Sequence, residues 1–192
     1  MKHRLSLLVL LIAAVLVPRV AAAGEVDPDI AKGRTLVATF GSQLKAELKQ
    51  SLGEGGPVGA IAVCKERAPQ IASALSRSSG VKIRRTSLRY RNPLNAPEPW
   101  EADVLRAFET EHVESPEAPL EYVEQLEDGT IRYMSAIRAG AVCLACHGDP
   151  LADTIKDQLQ ADYPHDRARG YALGDIRGAF SLTWSSADAG SQ

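Results

Sequence analysis

The chain has 192 residues, of which 45% are hydrophobic and 24% charged, and a formal net charge of −2 at pH 7. This length suits one domain with a core of its own. The charge balance excludes a basic surface of the kind that holds nucleic acid or an anionic membrane.

The first element is residues 1–23, MKHRLSLLVLLIAAVLVPRVAAA. A basic start with Lys2 and Arg4 precedes an apolar run from Leu5 to Val17. Pro18 breaks the run, and Ala21 to Ala23 offer small residues for cleavage. This is the layout of a secretory signal peptide. The run is shorter than the roughly 18 residues a bilayer span needs, and no Cys follows it to carry a lipid. The alternative is an uncleaved anchor, because Arg19 lies close to the cleavage point. Lys2, Arg4 and Arg19 leave with the peptide, so 19 basic residues then face 24 acidic ones, a net charge of −5. The mature domain, 24–192, is expected to be soluble and exported to the periplasm. No other segment is apolar enough to span a membrane.

Two helices are expected next. Ile30, Val37, Phe40, Leu44 and Leu48 recur near helical spacing, and Gly53 can stop that helix. GEGGP (53–57) reads as a turn, with Pro57 at the start of a second helix reaching about Ser78. On that helix Ile61, Cys64, Ala68, Ile71 and Leu75 share one face, while Pro69 is placed to kink it. The two helices should run antiparallel with Cys64 facing inward.

GVKIRRTSLRY (80–90) has strand character, RNPLNAPEPW (91–100) is an irregular loop, and EADVLRAFETE (101–111) is a short helix. EYVEQLEDGTIRYMSAIRA (121–139) is a hairpin around Asp128-Gly129. LADTIKDQLQADYP (151–164) indicates a helix and GDIRGAFSLTW (174–184) a last strand. Trp100 and Trp184 are assigned to the core. Hairpin-paired strands beside segregated helices argue for an α+β fold.

Between the hairpin and the next helix lies AGAVCLACHGDP (139–150), which places Cys143, Cys146 and His147 as C-x-x-C-H. This spacing marks c-type haem attachment. Two thiols add to the haem vinyl groups, and the adjacent His is carried beneath the macrocycle to bind iron. A zinc site would need four Cys or His ligands, and the chain supplies no second compact pair. A thioredoxin-like pair would open a helix in a βαβ setting, whereas this motif follows a hairpin. A simple disulfide or chance is the remaining alternative.

His147 would supply one axial bond. Candidates for the other are Met134, His112, His165 and Cys64. Cys64, an odd thiol in an exported protein, would be accounted for by ligation, since a thiolate on an apolar face needs a cation. It is equally read as a small buried hydrophobe. His112 and His165 lie in polar, exposed-looking segments, and Met134 reads as core. Arg84, Arg85, Arg89 and Arg91 cluster ahead of NPLNAP. Haem propionates pair well with arginine, with Arg84 and Arg85 the first candidates; a solvated basic patch is the alternative.

The strings VGAIAVCKERAPQIA, IRRTSLRYRNPLNAPEPWEADVLRAF, CLACHG and DYPHDRARGYALGDIRGAFSLTW together resemble a family of bacterial exported single-haem c domains, long catalogued as a domain of unknown function. The resemblance runs from about Ile30 to Trp184. It implies a PAS-like α+β fold with an antiparallel sheet, one covalent haem c, and axial ligation by His147 on one side and Cys64 on the other. It implies a role in redox or gas sensing with an unidentified redox or signalling protein partner. A small periplasmic electron-transfer cytochrome is the second reading. An enzyme such as a peroxidase is not expected, because it would need an open iron face and a distal acid–base residue.

Overall fold

Asp27 opens the first helix: its carboxylate accepts a hydrogen bond from the Asp29 N–H at 2.8 Å, and Pro28 follows at the first helical position. The computed structural model describes residues 27–116 and 118–185, so the expected signal segment, 1–23, lies outside them. Helix α1 spans Pro28–Ala62 and bends once, at Gly56, whose φ of 62° and ψ of −166° are open only to glycine. Pro57 then starts the second limb. The limbs run antiparallel: Arg67 reaches back to Glu47, and Phe40 shares a core cluster with Ile71. The helix does not stop at Gly53 as expected. Gly53 keeps helical backbone angles, and the chain reverses only at Gly56, where φ turns positive.

The second limb widens into a π turn, Val63–Arg67, before continuing as α2, Ala68–Ser79. Pro69 lies just beyond it. Proline has no N–H and its ring crowds the carbonyl four residues back, here that of Lys65. A wider turn, in which the Ala68 N–H bonds to the Val63 carbonyl, relieves that crowding.

The sheet has four strands, β1 (Lys82–Thr86), β2 (Glu121–Gln125), β3 (Thr130–Arg138) and β4 (Ile176–Ser185). Their order is β1-β4-β3-β2, antiparallel throughout. Helix α3 (Pro99–Glu114) packs on one face through Val104, Leu105 and Phe108, against Met134 and Ala179. The helical hairpin covers the other through Phe40 and Ile71, against Ile83, Ile131, Tyr133, Phe180, Leu182 and Trp184. There α1 lies so close to the sheet that a Cβ at Gly33 would stand 2.8 Å from the Tyr133 ring. The central strand β4 is therefore covered on both faces, and its residues from Gly178 to Leu182 are all buried, the polar Ser181 among them.

The fold is α+β with an antiparallel sheet, as the resemblance implied. α3 is longer than expected and carries His112 in its last turn, half-buried against the Arg138 guanidinium, not in an exposed loop. Met134 is fully buried core. Two short helices, α4 (Ala141–His147) and α5 (Asp153–Asp162), and a single 3-10 turn at Pro93–Asn95 complete the described elements. Among the described residues no helix is long and apolar enough to cross a membrane.

Candidate functional site

Helix α4 is the C-x-x-C-H motif itself. Three-residue spacing on a helix puts Cys143 and Cys146 on one side, and both are half-buried free thiols. The Cys146 Sγ lies 3.8 Å from the Pro57 carbonyl at the bend of the helical hairpin. Its neighbours are Ile61, Leu151, Ile155, Leu159 and Tyr163. Burial pushes the Cys146 thiol pKa up, against the pull of Arg91. That is the opposite of the depressed thiol of a dithiol redox pair. No cluster of three or more His, Cys, Asp or Glu side chains that could hold a metal ion forms among the described residues, so the zinc reading finds no ligand set.

His147 is 9% exposed. Its Nδ1 stands 2.7 Å from the Ala168 carbonyl, which can only accept, so Nδ1 carries the proton and Nε2 presents a lone pair. Burial holds the imidazole pKa well below its usual value, and Arg177, Arg91 and Arg85 depress it further. The ring is therefore neutral. An imidazole whose N–H is tied to a backbone carbonyl and whose other nitrogen is free is the arrangement of a metal-ligating histidine. The Tyr171 ring meets it edge-on, centroids 6.1 Å apart.

A buried frame fixes this helix. Arg91 donates to the Cys146 carbonyl at 2.6 Å and to the Ala168 carbonyl at 3.2 Å, while its Nε pairs with Asp166 at 3.1 Å. Asp166 also receives Arg169 and the Ala168 N–H. The Tyr171 N–H donates to the His147 carbonyl at 2.9 Å. The segment 163–171 is thus laced to the motif, and Ala168, the partner of His147, is held at both ends.

The structure places the remaining sequence candidates unequally. Cys64 sits inside the π turn, half-buried. A thiolate at Cys64 would act on Cys146, Tyr163 and Arg177, so this residue belongs to the same neighbourhood as the motif. Burial first, then Cys64, push the Tyr163 hydroxyl up to about 12. Lys65, next to Cys64, pairs with Asp162 at the end of α5. Arg84 and Arg85 point to opposite faces of β1. Arg84 is engaged by the buried Glu101 and by the carbonyls of Leu94 and Ala96. Arg85 shares the face of Ile83, toward the helical hairpin, and its charge reaches His147. Arg89 stacks on Tyr171 at 3.7 Å. His165 is exposed.

Sequence reading missed Arg177, Tyr171 and the Ala168 carbonyl. The only signal for them was their place in DYPHDRARGYALGDIRG, a polar string too long and too rich in arginine for a plain connection. The donor set fits a haem: a neutral imidazole with Nε2 free, two thiols on one face of its helix, a third thiol nearby, and guanidinium charge around the imidazole. A family model described as "Tll0287-like: Tll0287" matches residues 19–185. Among solved structures, the cyanobacterial heme-protein Tll0287 is similar, at 26% identity with a TM-score of 0.65, over 83% of this chain and 97% of that one. The comparison with curated proteins finds no match.

Proposed function

The chain belongs to the Tll0287-like family, and from that membership and the geometry of the site we propose that it is an exported c-type haem protein that senses redox state or a small gas. Cys143 and Cys146 would hold one haem covalently, and His147 and Cys64 would bind its iron. The observation that carries this reading is His147: buried, neutral, tied by Nδ1 to the Ala168 carbonyl, and one residue after a half-buried thiol of the same helix.

Bound here, the haem would supply a one-electron couple, held at low potential by thiolate donation. The chain's own part is positioning. The lacing of 163–171 fixes His147 from behind. Cys64 is carried on a π turn, a rare form of helix that often marks functional positions. A shift of that turn would be passed to α1 and α2, and through the Lys65–Asp162 pair to α5. A partner protein would read that movement. We assign no catalysis: His112, at the end of α3, pairs with Arg138, and His165 is exposed, so neither stands as a distal acid–base group. The signal-like segment 1–23 supports a periplasmic place. The second reading, a small electron-transfer cytochrome, is favoured by the rigid Arg91–Asp166 frame behind His147, which would hold the site alike in both oxidation states.

The test is a set of ferric and ferrous optical spectra, with and without CO, of the full chain matured with haem. The expected result is a ferric low-spin thiolate signature that is lost on reduction, with CO then binding. A six-coordinate spectrum that survives reduction and ignores CO favours the carrier. A ferric spectrum without thiolate removes Cys64 from the ligand set.

A further inference from the structure

Along β4, alternation should put Ile176, Gly178, Phe180 and Leu182 on one face. The register against β3 shifts between Ile137 and Arg138, where Ile137 faces Gly178 and Arg138 faces Ile176. One residue, Arg177, is thereby left over in the ladder. Ile176 consequently joins Ala179 in the cluster beneath α3, and Arg177 is turned to the side that holds His147. Bulges of this kind re-aim a side chain.

The re-aimed guanidinium is unusually poor in partners. It donates to the Ser87 hydroxyl at 3.1 Å and to the Arg89 carbonyl at 3.4 Å, and it lies 5.3 Å from the Tyr171 ring centre. Its Nε is buried and has no hydrogen-bond partner. Among the described residues Arg34, Arg67, Arg84, Arg91, Arg106, Arg132 and Arg169 each have a carboxylate, while Arg77, Arg89, Arg138 and Arg167 have none; Arg177 differs from all of these in its buried, unpartnered Nε. Among the described residues neither Arg177 nor Arg85 forms an ion pair. Both bring their charge to bear on His147 and on one another. A buried donor without an acceptor, beside a second uncompensated guanidinium, is a costly arrangement unless an anion completes it. A planar carboxylate matches the guanidinium fork.

We infer that Arg177, with Arg85 beside it, is the subsite that receives the carboxylate side chains of the haem. This rests on the function proposed above. It moves that role from Arg84, whose donors are already spent on Glu101 and two carbonyls, to a residue 93 positions further along the chain. Arg177 is a positioning residue: it orients the group and sets the charge near the iron ligand His147.

The experiment compares haem-matured full-length wild type with R177Q, R177K and R85Q by mass and by spectroelectrochemical titration. All four should carry the same covalent haem mass. R177Q should show a lower midpoint potential, because a positive charge that favours the reduced form is gone. R177K should return most of the way to wild type, and R85Q should shift in the same direction by less. Haem-loaded R177Q and R85Q at the wild-type potential would overturn the subsite while leaving the function standing. A wild type that emerges from maturation without the haem mass would overturn the function itself, and this inference with it. If R177Q does not fold, R85Q and R177K decide: a wild-type potential in R85Q together with a lowered one in R177K would sink it.

Discussion

Arg91 and Asp166 form the most deeply buried ion pair described, their side chains 6% and 1% exposed. Burial alone would raise the Asp166 pKa. Hydrogen bonds from Arg91, Arg169 and the Ala168 N–H outweigh it and leave the carboxyl below its usual value. A carboxyl depressed on folding contributes stability that is complete above its unfolded value of about 3.9 and fades as pH falls through the lower folded value. Replacing Arg91 by methionine takes one of two guanidinium partners from the buried Asp166 carboxylate, which keeps Arg169, and leaves the Cys146 carbonyl without its donor, while the Ala168 carbonyl keeps His147. Losing a charge-assisted hydrogen bond and leaving a buried carbonyl unsatisfied together cost about 3–5 kcal/mol. R91M should therefore lose that much in urea unfolding at pH 7, followed by circular dichroism, and should unfold in acid at a higher pH than wild type. An unchanged urea midpoint would mean that the frame behind His147 is ornamental.

The helical hairpin shows what a periodicity can and cannot reveal about an element. The spacing of Phe40, Leu44, Ile61 and Ile71 announces two amphipathic limbs, and both form. The string GEGGP announces a turn, but three glycines compete for it and only backbone angles decide. Gly56 wins because Pro57 can begin the new limb directly after it. The π turn was legible only as a hint, through Pro69. The β4 bulge was not legible at all, since it is set by the pairing of Arg138 with Ile176 across the sheet. The distinction between the glycines is measurable. Gly53 is exposed and helical, and a Cβ added there would meet nothing within 4 Å, so G53A should stabilise by about 0.5–1 kcal/mol. G56A should destabilise by about 1–3 kcal/mol, because alanine is strained at its angles. Thermal or urea denaturation of the two variants reads the sign directly; equal shifts would place the reversal elsewhere.

At the scale of the molecule, the site is assembled from pieces that lie far apart in sequence. The motif residues Cys143, Cys146 and His147 are local and were therefore legible as a string. Their surroundings come from the hairpin (Cys64), the β1 side (Arg85, Arg91), the 163–171 segment and the β4 bulge, and no local pattern joins those. What brings the hairpin to the motif is a small satellite core: Ile61, Leu151, Ile155, Leu159 and Tyr163, with Cys146 against it. It is separate from the main cluster around Phe40 and Phe180, whose rings pack 5.0 Å apart. Separate clusters can open separately. Phe40 and Leu159 are both fully buried, so F40A should cost about 3–5 and L159A about 2–5 kcal/mol overall. Their local effects should differ. L159A removes the packing that joins α5 to Ile61 and Cys146, while F40A leaves it in place. In the haem-free chain, Cys146 and Cys64 should react with a thiol reagent under native conditions markedly faster in L159A than in F40A, even where F40A is the less stable of the two. If labelling instead follows global stability in both variants, the satellite core has no independence, and the hairpin and the motif move only when the whole domain unfolds.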